Sequence, residues 1–216
     1  MAAVAGWLTL LAAVAIAVRR RWDGANHPGE REWSRKLVHI GTGAVVPMAW
    51  AFGIDQRIAL PAAGTVTLLA ALNHRLRLLP AVEDVGRTSY GTVAYGASIT
   101  VLFWQYWPSD PASVAAGVLV MALGDGLAGL LGPLWPSPSW RVLGQRRSLI
   151  GTSVMAAASL AVLVALNLAV QTVPWPALMG LAAAATALEQ LAPYGIDNLS
   201  VPLAVAWLWH QLGSGL

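Results

Sequence analysis

The sequence of 216 residues contains no cysteine, so disulfides, thiolate catalysis and cysteine-ligated zinc are excluded. Charge is also scarce. Charged residues make up 11% of the chain, whereas a soluble domain of this size carries about 25%. Most of the surface therefore need not face water. Several signatures of soluble catalysis are missing as well: there is no G-x-x-x-x-G-K-[ST] phosphate loop, no G-x-S-x-G and no H-E-x-x-H. Gly124, Gly126 and Gly129 spell G-x-G-x-x-G, but inside an apolar helical run rather than between a strand and a helix. The dinucleotide reading fails on that context, and close helix approach explains the small residues better.

What the chain does have is apolar length. Hydrophobic residues make up 57% and mean hydropathy is +0.62. A membrane span needs about 20 apolar residues. Candidate spans are 2–18, 37–52, 58–72, 90–107, 112–131, 149–170, 176–191 and 199–212. The expected fold is an all-α transmembrane bundle of seven or eight spans, since no alternating pattern offers a barrel. The chain reads as one integral membrane domain over 1–216. Residues 1–31 form the first span and an inner loop, and 32–212 form the functional core.

Charge sets the expected orientation. Arg19, Arg20, Arg21, Arg31, Arg35 and Lys36 follow span one. Arg75, Arg77 and Arg87 follow span three, and Arg141, Arg146 and Arg147 follow span five. Of the 13 basic residues only Arg57 falls on the other side, so the positive-inside rule puts the first group in the cytosol and the N-terminus outside. The arginines after span one also argue for an uncleaved first span, because a cleavable signal carries its charge ahead of the apolar stretch. The net charge of +3 is explained by topology, and no nucleic-acid partner is expected. Among the 11 tryptophans, Trp33, Trp50, Trp104, Trp107, Trp135, Trp140, Trp175, Trp207 and Trp209 lie near span ends, where an aromatic belt accounts for them.

Four polar clusters carry the candidate chemistry, all on the expected inner side. In "EWSRKLVH", Glu32, Arg35, Lys36 and His39 share one helical face running into span two. Its cations can grip phosphate oxygens; a snorkelling basic collar is the plainer alternative. Asp125 is the one charged residue within span five, at a cost of about 2.5–3.5 kcal/mol, and suits a magnesium ligand or general base. Gly124 precedes it. In "GQRRSLIGT", Arg146 and Arg147 precede Ser148, Gly151 and Thr152 where span six begins, with Ser148 as helix cap and the helix N-terminus attracting phosphate. In "LEQLAPYGIDNLSVP", Glu189, Asp197 and Asn198 can hold magnesium, or Asp197 can simply cap a helix. Asn73 and His74 end span three on the same side. Cations for phosphates, carboxylates for magnesium and apolar walls for a lipid are the parts of phosphoryl transfer to a membrane alcohol.

Five segments together resemble the CTP-dependent polyprenol-type lipid kinases, a group that includes phytol, dolichol and diacylglycerol kinases. They are "RKLVHIGTG", "VGRTSYGT", "GVLVMALGDGLAGLLG", "GQRRSLIGT" and "GIDNLSVPL". The likeness covers about 32–212 and is greatest to the phytol kinases of cyanobacteria and plastids. It implies CTP as co-substrate, Mg2+ as cofactor and a prenyl alcohol such as phytol as acceptor. Phytyl phosphate would then enter tocopherol synthesis and chlorophyll salvage. It also implies nucleotide contacts from Arg35, Lys36, Arg146, Arg147, Ser148, Gly151 and Thr152. Metal would be held by Asp125, Asp197 and Glu189. Catalytic roles would fall to Asp125, Asp197 and His39, supported by Glu32, Gly124, Asn198 and Asn73. The family often has lysine-serine-x-glutamate-glycine in the fourth of these segments. Here Arg147 and Ile150 replace the lysine and the glutamate, which shifts that carboxylate's part to Glu189 or Asp197. The alternatives are another polyprenol, farnesol or geranylgeraniol, or diacylglycerol as acceptor, a cytidylyltransferase like the CDP-lipid synthases, and a transporter. Self-association is left open.

Overall fold

The computed structural model describes residues 2–22, 28–76 and 90–215, with side chains for 2–18, 33–76 and 90–215. The described residues are overwhelmingly helical, as their continuous apolar runs require. In order come α1 (Ala2–Trp22), α2 (Pro28–Gly43), α3 (Val45–Ala51), α4 (Gln56–Leu76) and α5 (Gly91–Tyr106). A central rod follows, built from α6 (Pro111–Leu119), a π-helical segment (Val120–Asp125), α7 (Gly126–Leu131) and a 3-10 turn (Gly132–Leu134). A hairpin of β1 (Ser139–Val142) and β2 (Gln145–Ser148) leads into α8 (Leu149–Val170), α9 (Trp175–Leu191) and α10 (Asp197–Gly213).

The rod forms the core. Every residue from Ala112 to Val118 is buried, as are Val120, Met121 and Ala122. It packs against α2, α3, α5, α8 and α10, which surround it. Among the described residues two helices are long and apolar enough to cross a membrane: the rod over Pro111–Leu134, with hydropathy 2.0, and Leu149–Val170, with hydropathy 2.2. They differ in what covers them. The rod's apolar window is 61% buried by protein and that of α8 only 17%, so α8 turns most of its surface outward. Outward apolar residues such as Leu68, Leu168 and Met179 suit a lipid surround, and the protein is accordingly membrane-associated.

Three local differences from the sequence reading have clear causes. The segment 37–52 is not one helix: α2 stops at Gly43 and α3 restarts at Val45, because Pro47 has no N–H to continue the ladder. The inner loop before α8 holds a short antiparallel hairpin, with Ser139 opposite Ser148 and Val142 opposite Gln145. Its two-residue turn has Leu143 at φ 47° and Gly144 at φ 80°, the two positive φ values of a type I′ turn. Trp107 and Trp209 belong to the core rather than to an interfacial belt: both are buried, and the Trp107 indole N–H donates to the Ile54 carbonyl at 2.7 Å.

Candidate active site

Helix α2 and the rod meet side by side, and glycine makes the contact possible. A Cβ on Gly129 would overlap the end of the Lys36 side chain, and one on Gly126 would overlap Ile40. Lys36 therefore lies flat across the rod. Its ammonium donates to the Asp125 carboxylate at 2.6 Å and to the Asp125 carbonyl at 2.9 Å. Three residues along α2, on the same face, His39 places Nε2 3.4 Å from that carboxylate and 3.3 Å from the Met121 carbonyl. Both neighbours are acceptors, so Nε2 carries a proton. Tyr95 lies against the other side of the imidazole, with ring centroids 4.5 Å apart.

Asp125 closes the π-helical segment. Such wide turns are rare and interrupt the regular face of a helix. Here the interruption leaves the Met121 carbonyl and the Asp125 carboxylate both within reach of α2. Gly124 serves packing instead: a Cβ there would come within 2.6 Å of the Met155 sulfur on α8.

The hairpin supplies the next wall. Successive residues of a strand face opposite sides. Gln145 and Arg147 line a cleft that they share with Arg35, Lys36, Asp125, Tyr194, Asp197 and Asn198, with about 750 Å³ of open space. Arg147 ties the hairpin to the C-terminus of α9. It forms an ion pair with Glu189, donates to the Glu189 carbonyl, and donates to the Ala192 carbonyl at 3.1 Å. A guanidinium is well matched to these exposed helix-end carbonyls. Gln190 donates to Glu189 at 2.8 Å and to Thr152 at 3.0 Å, fixing α9 against α8. Ser148 caps α8 by accepting from the Gly151 N–H at 3.2 Å.

A turn through Tyr194 (φ 55°) and Gly195 (φ 85°) then delivers Asp197 at the start of α10. Asp197 accepts from the Asn198 backbone N–H at 3.0 Å. The Asn198 side-chain oxygen is buried without a partner and lines the same cleft.

These elements bring three carboxylates together from separate parts of the chain. One oxygen each of Asp125, Glu189 and Asp197 lies within 4.8 Å of the others. A buried set of oxygen donors of this kind suits a hard divalent cation such as Mg2+. Lys36 pairs with Asp125 and Arg147 with Glu189, while burial and the neighbouring Asp125 push the Asp197 carboxyl up to about 7, a repulsion that a bound cation would relieve.

Of the residues singled out in the sequence, Arg35, Lys36, Asp125, Arg147, Asp197 and Asn198 line the cleft, with His39 and Glu189 bonded to its walls. Ser148, Gly151 and Thr152 shape the start of α8 behind it. Arg146, another proposed phosphate contact, does not line the cleft either. It lies on the opposite face of β2, exposed and away from the cleft lining, because strand alternation separates it from Arg147. Asn73 is buried near the end of α4 and does not line the cleft; its neighbour His74 packs on Tyr90 at 4.9 Å. The Glu32 side chain lies outside the described residues. Gln145, Tyr194 and the Arg147 grip on α9 were not anticipated. The strand alternation around Arg147 was the one available signal for Gln145.

The chain is 39% identical to the phytol kinase of Synechocystis sp. over 191 residues, spanning 85% of this chain and 82% of that protein. It belongs to the phytol kinase family. As a kinase, it is a phosphotransferase with an alcohol acceptor. No family model matches the chain, and no solved structure matches it.

Proposed function

We propose that this kinase transfers the γ-phosphate of CTP, or of another nucleoside triphosphate, to a prenyl alcohol. Phytol is the first candidate and phytyl phosphate the product. The acceptor is suggested by the phytol kinase of Synechocystis sp.. The observation that carries the reaction type is the convergence of Lys36, Arg147 and three carboxylates on one cleft at the end of an apolar rod. The rod and the outward-facing α8 support a multi-pass membrane protein whose cleft opens to the cytosol, where the basic segments gather.

In this reading Arg35, Lys36 and Arg147 receive the triphosphate oxygens, with Gln145 as a neutral donor beside them. Asp125, Glu189 and Asp197 would hold Mg2+, which when bound supplies charge neutralisation to the β- and γ-phosphate oxygens. Lys36 holds the Asp125 carboxylate in place, and protonated Nε2 of His39 supports it from the apolar side. The alcohol oxygen attacks the γ-phosphorus, and the bond from that phosphorus to the bridging oxygen breaks. The nucleoside diphosphate leaves, and the hydroxyl proton passes to a carboxylate of the cleft. Asp197 is the best placed acceptor, since neither Lys36 nor Arg147 is bonded to it.

The test is a donor-by-acceptor matrix on the purified protein in lipid nanodiscs. Each nucleoside triphosphate is offered with phytol, geranylgeraniol, farnesol, a dolichol and diacylglycerol. The expected products are phytyl phosphate and CDP. Release of pyrophosphate with a cytidylylated lipid would replace the kinase by a cytidylyltransferase.

A further inference from the structure

An apolar groove lies between α1 with α2 and α3 on one side and α4 with α5 on the other. It is open along one side and holds about 90 Å³ of free space, less than the about 300–1,000 Å³ usual for whole-ligand pockets, so it accommodates a short stretch of chain. Val4, Leu8, Val45, Ala63, Ile99 and Phe103 line it, and no charged residue does. Such a lining suits hydrocarbon and repels a phosphate.

Its position relative to the cleft gives it meaning. Helix α2 borders both spaces, and α5 lines the groove and packs on His39 behind the cleft wall. Helix α2 sends Lys36 and His39 to the cleft and, one turn beyond His39, Thr42 to the groove. Helix α5 packs Tyr95 on His39 and, one turn beyond, presents Ile99 to the groove. From Gly96, next to Tyr95, to Phe103 the groove follows α5 for about 10 Å. Tyr95 stands at the junction. It is 5% exposed, and its phenol oxygen is buried with no hydrogen-bond partner. Gly43 and Ala122 pack beside it: a Cβ on Gly43 would lie 2.4 Å from the Ala122 Cβ and 3.4 Å from that oxygen. A buried donor of this kind is rare unless something else satisfies it.

We propose that the groove is the chain subsite of the lipid alcohol, and that the Tyr95 phenol positions the alcohol hydroxyl on its way to Asp125. The occupant is an isoprenoid-type hydrocarbon tail, whose proximal part fills the groove while the rest runs out past Val66 into the bilayer. The proposal rests on the prenyl alcohol kinase reading and adds where the acceptor sits and which residue orients it.

The experiment uses the full chain in phosphatidylcholine nanodiscs and a C20 isoprenoid alcohol bearing a diazirine in the first half of its chain. Peptides covering 42–66 and 96–103 should carry the label, and excess phytol should reduce it at least about tenfold. Tyr95→Phe keeps the ring on His39, and should raise KM for phytol about tenfold while leaving KM for the nucleotide within about twofold. Ala63→Trp should lower the labelling and shift kcat/KM toward shorter alcohols. Labelling confined to α8 or α9 overturns the proposal. So does groove labelling that phytol does not compete, which marks a bound membrane lipid. Competed groove labelling without phosphate transfer would uphold the subsite and remove the kinase reading. Transfer with the label elsewhere would do the reverse.

Discussion

Lys36 on α2 and Asp125 on the central rod are joined twice, the ammonium reaching both the carboxylate at 2.6 Å and the main-chain carbonyl at 2.9 Å. Their side chains are 5% and 13% exposed, so neither charge is balanced by water. Breaking such a buried pair from one side costs about 3–5 kcal/mol. Lys36→Met should therefore lower the melting temperature of the detergent-solubilised protein strongly. The double variant with Asp125→Asn should recover most of that loss, because no unpaired charge remains. Activity should not recover: Asp125→Asn alone is expected to reduce kcat about 100-fold or more. Thermal unfolding and phosphate transfer, measured on the three variants, check both halves.

Gly129 matters because it has no side chain where Lys36 crosses the rod. Gly129→Ala should push the lysine end aside without unfolding the helix, lowering kcat/KM about 10- to 100-fold through displaced charge. Gly180→Ala on α9 meets open space and should leave both stability and rate near wild type. Steady-state kinetics on the pair of variants separates crowding at the cleft from a general effect of losing glycine.

The sequence alone was informative wherever one residue had to justify its own cost. Asp125 in an apolar run and the Lys36–His39 stripe both pointed inward to the same place, and the structure joins them. The apolar segments were legible as helices too: 149–170 matches α8 end to end. The π-helical turn at 120–125 had no local signature, since it arises from how the rod packs on its neighbours. The hairpin was hidden because its strands are four residues long and rich in arginine, which reads as a basic loop. That hid the difference between Arg146 and Arg147 as well.

That difference is directly measurable. Arg147→Ala should raise the nucleotide KM at least about tenfold and lower stability, since it frees the buried Glu189 and the carbonyls at the end of α9. Arg147→Lys should rescue little, because an ammonium cannot span three acceptors in a fork. Arg146→Ala, on the exposed face of the strand, should change the nucleotide KM by less than about twofold. Nucleotide titrations of the three variants check the assignment.

At the far end of the rod, Asp110 caps α6 by accepting from the Ser113 N–H at 3.1 Å and lies 2.7 Å from Nδ1 of His210 on α10. Burial pushes the Asp110 carboxyl up, but the bonds from Ser113 and His210 outweigh it and hold it below its ordinary range. A depressed carboxyl stabilises the fold above its unfolded pKa, and loses that contribution as pH falls through the folded value. Melting temperature should thus decline on acidification below about pH 4 more steeply in wild type than in Asp110→Asn. Asp110→Ala should lose about 1 kcal/mol more than Asn, the usual value of a helix cap.

The most direct measurement is transfer of label from γ-32P-CTP to phytol by the purified protein, with Mg2+ present and then chelated. Wild type should form labelled phytyl phosphate only with Mg2+. Asp125→Asn and Glu189→Gln should both form it at least about 100-fold more slowly. Wild-type rates in those two variants, or label entering the lipid from α-32P-CTP, would contradict the account.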